Sequence, residues 1–273
     1  MASDLWRSQE TSAWICALRK YKTAVFSKKT PFSAVDKWYL VDLPASIRAR
    51  GSQASMSRDD LVKLVEWKLA RGKWRPRLLD YAKQQEEAVL KDVTELAFKS
   101  LLGDGVTSIA AIREAVSQLT QLKGVGPATA SAAVATVCHH APFMSDEALE
   151  AVMSKREYTL PAYMRLVEAL QQKSKELNAV ASKDAPLLAA GVVEGGLAAS
   201  SGPDMTQVDD CYIAEAGWNG TWTAVWVERA LWAAAVAPSS SEKVPTERVL
   251  PTKRALVANI TSKPDANKRK RKK

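Results

Sequence analysis

Apolar residues recur along this chain at intervals of three and four, and almost nowhere in the alternation of a half-buried strand. Ser57 reads as a helix N-cap with Asp59 and Asp60 in the first turn. Leu61, Leu64, Val65 and Leu69 follow at helical spacing until Gly72, and Pro76 opens the next element. The helical period resumes over 89–102 and stops at Gly103-Asp104-Gly105. It returns over 108–122 through Ile109, Ile112, Val116 and Leu119. A small, Ala-rich helix is predicted over 128–138, a long one over 158–177 and a closing apolar one over 222–236. The aromatic-rich residues 1–50 read as an irregular helical lead packed on the core. The pattern predicts an all-α body over 1–237. Residues 179–203, poor in large side chains and rich in Gly, Ala and Ser, read as a flexible insertion.

Composition adds little to this picture, because 47% apolar and 25% charged residues are ordinary for a globular protein. Charge adds more. The formal net charge is +9, yet 253–273 alone holds nine Lys or Arg against one Asp, so the body is nearly neutral. The last part of that segment, 261–273, has no large apolar residue, and 238–273 is expected to be a disordered basic tail. Its end, Lys268 to Lys273, reads as a nuclear localisation signal or a non-specific phosphate-binding arm. Cys16, Cys138 and Cys211 stand apart with no CxxC pair, which argues against a disulfide framework, a zinc ribbon or an iron–sulfur loop. Asp4, Arg7 and Glu10 interrupt the first residues, unlike a secretion signal, and no apolar run is long enough to span a membrane. An intracellular, soluble protein without cofactor or metal is expected.

The strongest local signal is Leu122-Lys123-Gly124-Val125-Gly126-Pro127-Ala128-Thr129-Ala130. A tight turn between two helices needs glycine where dihedrals are strained and where a ligand must approach the backbone, the roles assigned to Gly124 and Gly126. Val125 can plug the turn into the core. Pro127 suits the first helical position, where no N–H is needed. The amides that follow sit at the positive end of a helix, so Lys123, Gly124, Val125, Gly126, Ala128 and Thr129 form a phosphate site that reads no base sequence.

With these residues the chain resembles the helix-hairpin-helix DNA glycosylase superfamily, whose members carry a pattern like Leu-Pro-Gly-Val-Gly-x-Lys-Thr-Ala. A catalytic Asp follows the hairpin in that family, and at the same spacing from Gly124 this chain has Asp146, preceded by Pro142-Phe143-Met144-Ser145. The resemblance covers about 25 residues and implies a multi-helical glycosylase-like body, contact with the backbone of double-stranded DNA, and base-excision chemistry in which Asp146 is catalytic. It also shows departures. The family's Schiff-base lysine position is Ala128 here, which implies a monofunctional enzyme, and Glu147 and Ala148 replace the residues usual after the Asp. A non-catalytic DNA-binding or scaffold protein remains the alternative, and binding of structured RNA a lesser one. Asp146 also suits the first turn of a helix whatever its chemistry.

Residues 67–77 place five cations, Lys68, Arg71, Lys73, Arg75 and Arg77, beside Trp67 and Trp74. Such interleaving can track phosphates and stack on a base, or it can be core tryptophans under a solvated face. His139 and His140 have no Cys or acidic partner at ligand spacing and read as a polar helix end. Trp218, Trp222, Trp226 and Trp232 read as core, and Glu66 and Glu228 fall among apolar neighbours. Nothing in the sequence speaks to oligomeric state.

Overall fold

The computed structural model describes residues 2–28, 32–102, 107–189 and 211–238. The basic tail beyond 238 and most of the insertion expected at 179–203 lie outside the described residues. Within them every regular element is helical and no strand occurs. In chain order the α-helices are α1 (Ala2–Arg7), α2 (Thr11–Arg19), α3 (Tyr21–Ser27), α4 (Phe32–Lys37), α5 (Leu43–Ala49), α6 (Arg58–Arg71) and α7 (Pro76–Lys83). They continue with α8 (Glu87–Lys99), α9 (Ile109–Leu119), α10 (Pro127–Val134), α11 (Asp146–Met153), α12 (Leu160–Ala189), α13 (Cys211–Glu215) and α14 (Ala224–Val236). A π-helical turn, Trp38–Asp42, joins α4 to α5.

Much of the N-terminal lead, with α11 and α12, is arranged around α14. Apart from Glu228 and Arg229 this helix is apolar, a pattern that is stable only when enclosed, and Ala224 to Ala233 are all buried. Helices α1, α2, α3, α11 and α12 pack against it. Tyr21 and Phe32 lie 5.1 and 6.1 Å from the ring of Trp232, and Trp14 meets Trp222 edge-on at 6.1 Å. Aromatic side chains each bury roughly 150–250 Å², so these few contacts hold the N-terminal lead on the core. The lead is therefore not irregular: it is five short helices.

Local signals set the other boundaries. Ser57 caps α6 through a capping box, its hydroxyl accepting from Asp60 N and the Asp60 carboxylate accepting from Ser57 N. Pro76 starts α7 and Ser108 caps α9. The helix expected over 128–138 ends at Val134, so His139 and His140 lie in the turn beyond it and do not form a helix end. Helix α12 continues to Ala189, so 179–189 is helix where a flexible insertion is expected.

Two polar side chains of the core connect α6 to α14. The Arg71 guanidinium donates to Glu228 at 2.6 Å, and both side chains are only 2% exposed. Arg71 also packs among the rings of Trp67, Phe143 and Trp232. Replacing Glu228 with Leu strands a buried cation, and a loss of about 3–5 kcal/mol is expected in denaturant unfolding. The double variant Arg71→Met, Glu228→Leu should recover most of that loss; equal instability of single and double variants would show that the pair is not the unit that matters.

Candidate nucleic-acid interface

The hairpin is built as the sequence suggests at one glycine and differently at the other. Gly124 has φ +81°, and a Cβ there would stand 2.6 Å from Tyr81 of α7, so both conformation and close approach require glycine. Gly126 has an ordinary extended φ of −96° and an open space where a Cβ would project. Its glycine is not demanded by strain; it leaves the mouth of the turn uncovered. Val125 is buried as the plug. Gln85 of α7's trailing turn donates to the carbonyls of Lys123 at 2.7 Å and Tyr81 at 3.2 Å, which fixes the bend to its neighbour. Lys123 and Arg77 are both drawn to Tyr81, the first over its ring at 5.5 Å and the second donating to its hydroxyl at 3.3 Å.

The amides of the bend divide into two sets. Val125 N donates to Leu122 O, and Thr129 N and Ala130 N donate to Gly126 O. The amides of Gly124, Gly126 and Ala128 have no acceptor among the described residues. Gly124 and Gly126 are exposed, and Gly124, Gly126, Pro127, Ala128 and Thr129 all line one cavity of about 190 Å³. Unpaired donors at the start of α10 thus open onto a space that another molecule can enter.

The same cavity gathers residues from three other places. Lys68, Lys73 and Arg75 line it from α6 and the turn after it, and Asp146, Glu147 and Tyr158 from the start of α11 and the loop before α12. Its floor includes Phe143 and Arg71. Met144 N donates to Ser131 Oγ of α10 at 2.9 Å, which holds the run 142–145 against the hairpin helix and sets where α11 begins. Ser145, not Asp146, is the N-cap of α11, its hydroxyl accepting from Ala148 N. Asp146 therefore occupies the first turn.

The two carboxylates at the mouth have different surroundings. Asp146 is 24% exposed at its side chain and accepts from the Tyr158 hydroxyl at 2.8 Å and from Arg156 at 3.1 Å. Burial and the bond to Asp146 push the Tyr158 hydroxyl up to about 12, so it stays a donor. Glu147 is half-buried, and burial raises its carboxyl above the ordinary range against the opposing pull of Arg71 and Lys28. Burial, and then Arg75, lower the Lys68 ammonium, while Asp146 favours its charge. A cavity that already strains a lysine's charge gains from an incoming anion.

Several expectations change here. Arg71 does not reach a phosphate as an exposed side chain: it is 3% exposed and committed to Glu228, so it supports the cavity from below. Arg77 and Lys123 lie on Tyr81 outside the cavity lining. The two tryptophans separate cleanly. Trp67 is core, stacked on Tyr39 at 3.5 Å, whereas Trp74 stands 59% exposed between Lys73 and Arg75. Glu66 is only partly buried and lies outside the cavity lining. Sequence reading missed Glu147 and Tyr158, because a departure from a motif carries no sign of burial and Tyr158 reaches Asp146 only through the fold. No group of His, Cys, Asp and Glu among the described residues could hold a metal.

Two outcomes follow. Gly124→Ala should cost about 1–3 kcal/mol in thermal or denaturant unfolding, whereas Gly126→Ala should stay within about 0.5 kcal/mol of wild type; equal effects would contradict the asymmetry described. The folded chain takes up the Glu147 proton at a higher pH than the unfolded chain. Wild type should therefore gain stability relative to Glu147→Gln as pH falls from neutrality, and the difference should level off below about 4.3, the ordinary Glu value. A pH-independent difference would remove the claim of an elevated carboxyl.

Comparison with protein-family models, with curated proteins and with solved structures gives no match for this chain, so its function is argued from the site alone.

Proposed function

We propose that this protein grips double-stranded DNA by its backbone and presents the Asp146–Glu147 cavity to a nucleotide drawn out of the stack, as a monofunctional N-glycosylase of base repair would. One observation carries the reading: unpaired hairpin amides, a basic turn and two carboxylates, all remote in sequence, line one small cavity. The amides of Gly124, Gly126 and Ala128 take a phosphate oxygen at the positive end of α10. Lys73 and Arg75 extend the contact along the strand. Trp74 stacks on a base beside the opening. At about 190 Å³ the cavity lies below the roughly 300–1,000 Å³ that larger ligands occupy, which suits a single ring system.

The chemistry needs little else. Breaking an N-glycosidic bond builds positive charge on the sugar, which Asp146 as a carboxylate opposes at short range. Glu147, holding its proton to higher pH than usual, is the group suited to donate toward the departing base. Ala128 stands where the resembling family carries its Schiff-base lysine, and a methyl side chain cannot form that adduct. A second reading, a DNA-binding or scaffold module without chemistry, is favoured by the way both Asp146 oxygens are already taken by Tyr158 and Arg156. Structured RNA would meet the same amides but offers no reason for the paired carboxylates.

Gly126→Asp should weaken binding to duplexes of any sequence about tenfold or more, because a carboxylate replaces the phosphate at the amides. Lys73→Ala with Arg75→Ala should lower the slope of log K against log salt by about 1.8, some 0.9 per lost phosphate contact, and Trp74→Ala should cost about 1–3 kcal/mol on DNA with an unpaired base. Unchanged affinity of Gly126→Asp, measured on a chain ending at residue 238 so that the tail cannot mask it, would remove the reading. Duplexes carrying uracil, alkylated or oxidised bases should yield abasic product that is lost in Asp146→Asn and Glu147→Gln. Intact binding without product on any of them would leave the module.

A further inference from the structure

A second cavity, of about 310 Å³, lies beyond the opposite end of α10. An eight-residue helix spans about 12 Å, so this space is separate from the hairpin mouth. Tyr39, Leu40 and Pro44 form an apolar wall on one side, and Thr136 and His139 follow α10 on another. Arg48 of α5, Arg229 of α14 and Glu215 of α13 complete the lining.

Arg229 makes the cavity unusual. Its side chain is 7% exposed, yet it has no hydrogen bond and no ion pair among the described residues. Its Nη1 is sealed from solvent, so the remainder of the guanidinium, 4.3 Å from the ring of Trp226, is what it presents to the cavity. A guanidinium does not give up its proton, so a buried one needs an acceptor. The nearby core acids are spent elsewhere. Asp36 accepts from Trp67, Tyr21 and Tyr212, and Glu228 is held by Arg71. Glu215, the one acid in the lining, pairs with Lys37 at 2.9 Å. Arg48 is exposed at the rim without a partner among the described residues.

His139, also at the rim, reports the resulting field: partial enclosure, then Arg229, Arg48 and His140, lower its pKa. The carbonyl end of α10 faces this side and opposes an anion. Attraction therefore rests on the side chains alone. We propose that this cavity binds a small phosphate monoester, its phosphate held by Arg229 and Arg48 with His139 at the rim and its organic part against Leu40 and Pro44. The volume reaches the lower edge of ordinary ligand sites, more than a bare phosphate fills. The inference is independent of the DNA reading, since it shares no lining residue with the hairpin cavity.

The test is a titration of the full chain, by NMR of the His139 ring and by Trp fluorescence, with inorganic phosphate, a nucleoside 5′-monophosphate and a sugar phosphate as separate probes. A saturable shift of His139 with a rise in its pKa is expected for each, tighter for the monoester that fits the apolar wall. Arg229→Gln risks the core, so Arg48→Gln carries the test: it should weaken binding about tenfold, the loss of a charge-assisted hydrogen bond. It should leave Gly126-dependent DNA affinity unchanged, so the two sites fail or stand separately. No saturable response, or the same response in Arg48→Gln, would overturn the proposal, since the anion would then bind elsewhere on a basic chain.

Discussion

The ion pair between Arg71 and Glu228 is the contact on which the arrangement of this protein turns. It joins the last residue of α6 to the middle of α14, 157 positions away, at 2.6 Å and out of reach of water. Two charges taken out of solvent are tolerated only when each satisfies the other, so the pair fixes where α6 ends relative to the central helix. That end is the floor of the hairpin cavity. The turn that follows, with Lys73, Trp74 and Arg75, leaves the core at this point and no other. A core without the pair could pack as densely; the end of α6 would then rely on its packing against α4 and α10 and on the bond from Lys28 Nζ to Arg71 O at 3.0 Å.

The neighbours of the pair show how one apolar helix serves two cavities. Glu228 is turned toward Arg71 and the Ser145 hydroxyl at the start of α11, while Arg229, the next residue, lines the space on the far side of α10. Successive positions on a helix point about a hundred degrees apart, so adjacent charged residues in a buried helix must face different elements. Asp36 belongs to the same polar layer, accepting from Tyr21, Trp67 and Tyr212 while burial raises its carboxyl. The interior is thus not uniformly apolar. Arg71 and Arg229, the buried cations near these acids, each line one of the two cavities.

In the proposed function, hairpin and carboxylates take different parts. Backbone amides hold an anion without regard to sequence, and they keep their geometry because Gln85 and Tyr81 brace the bend. Carboxylates placed near bound phosphate face repulsion unless they are paired or protonated. Asp146 is paired with Tyr158 and Arg156, and Glu147 is pushed toward protonation by burial. Lys68, half-buried with its ammonium disfavoured, sits between the two kinds of charge.

Local chemistry was legible in the chain itself. Ser57, Ser108 and Pro76 mark helix starts because capping and a preset φ act within a few residues, and Gly124 marks the bend because only glycine adopts its φ beside Tyr81. The apolar period over α6, α9 and α14 fixed an all-helical body for the same reason. What decided the site was long-range. Whether Arg71 faces water or Glu228, whether Trp67 or Trp74 is the exposed ring, and whether Tyr158 meets Asp146 all depend on which helices cross, and side-chain period cannot say which partner fills a face. Burial, the property that separates Glu147 from Asp146 and leaves Arg229 without an acceptor, belongs to the packed structure and has no local signature.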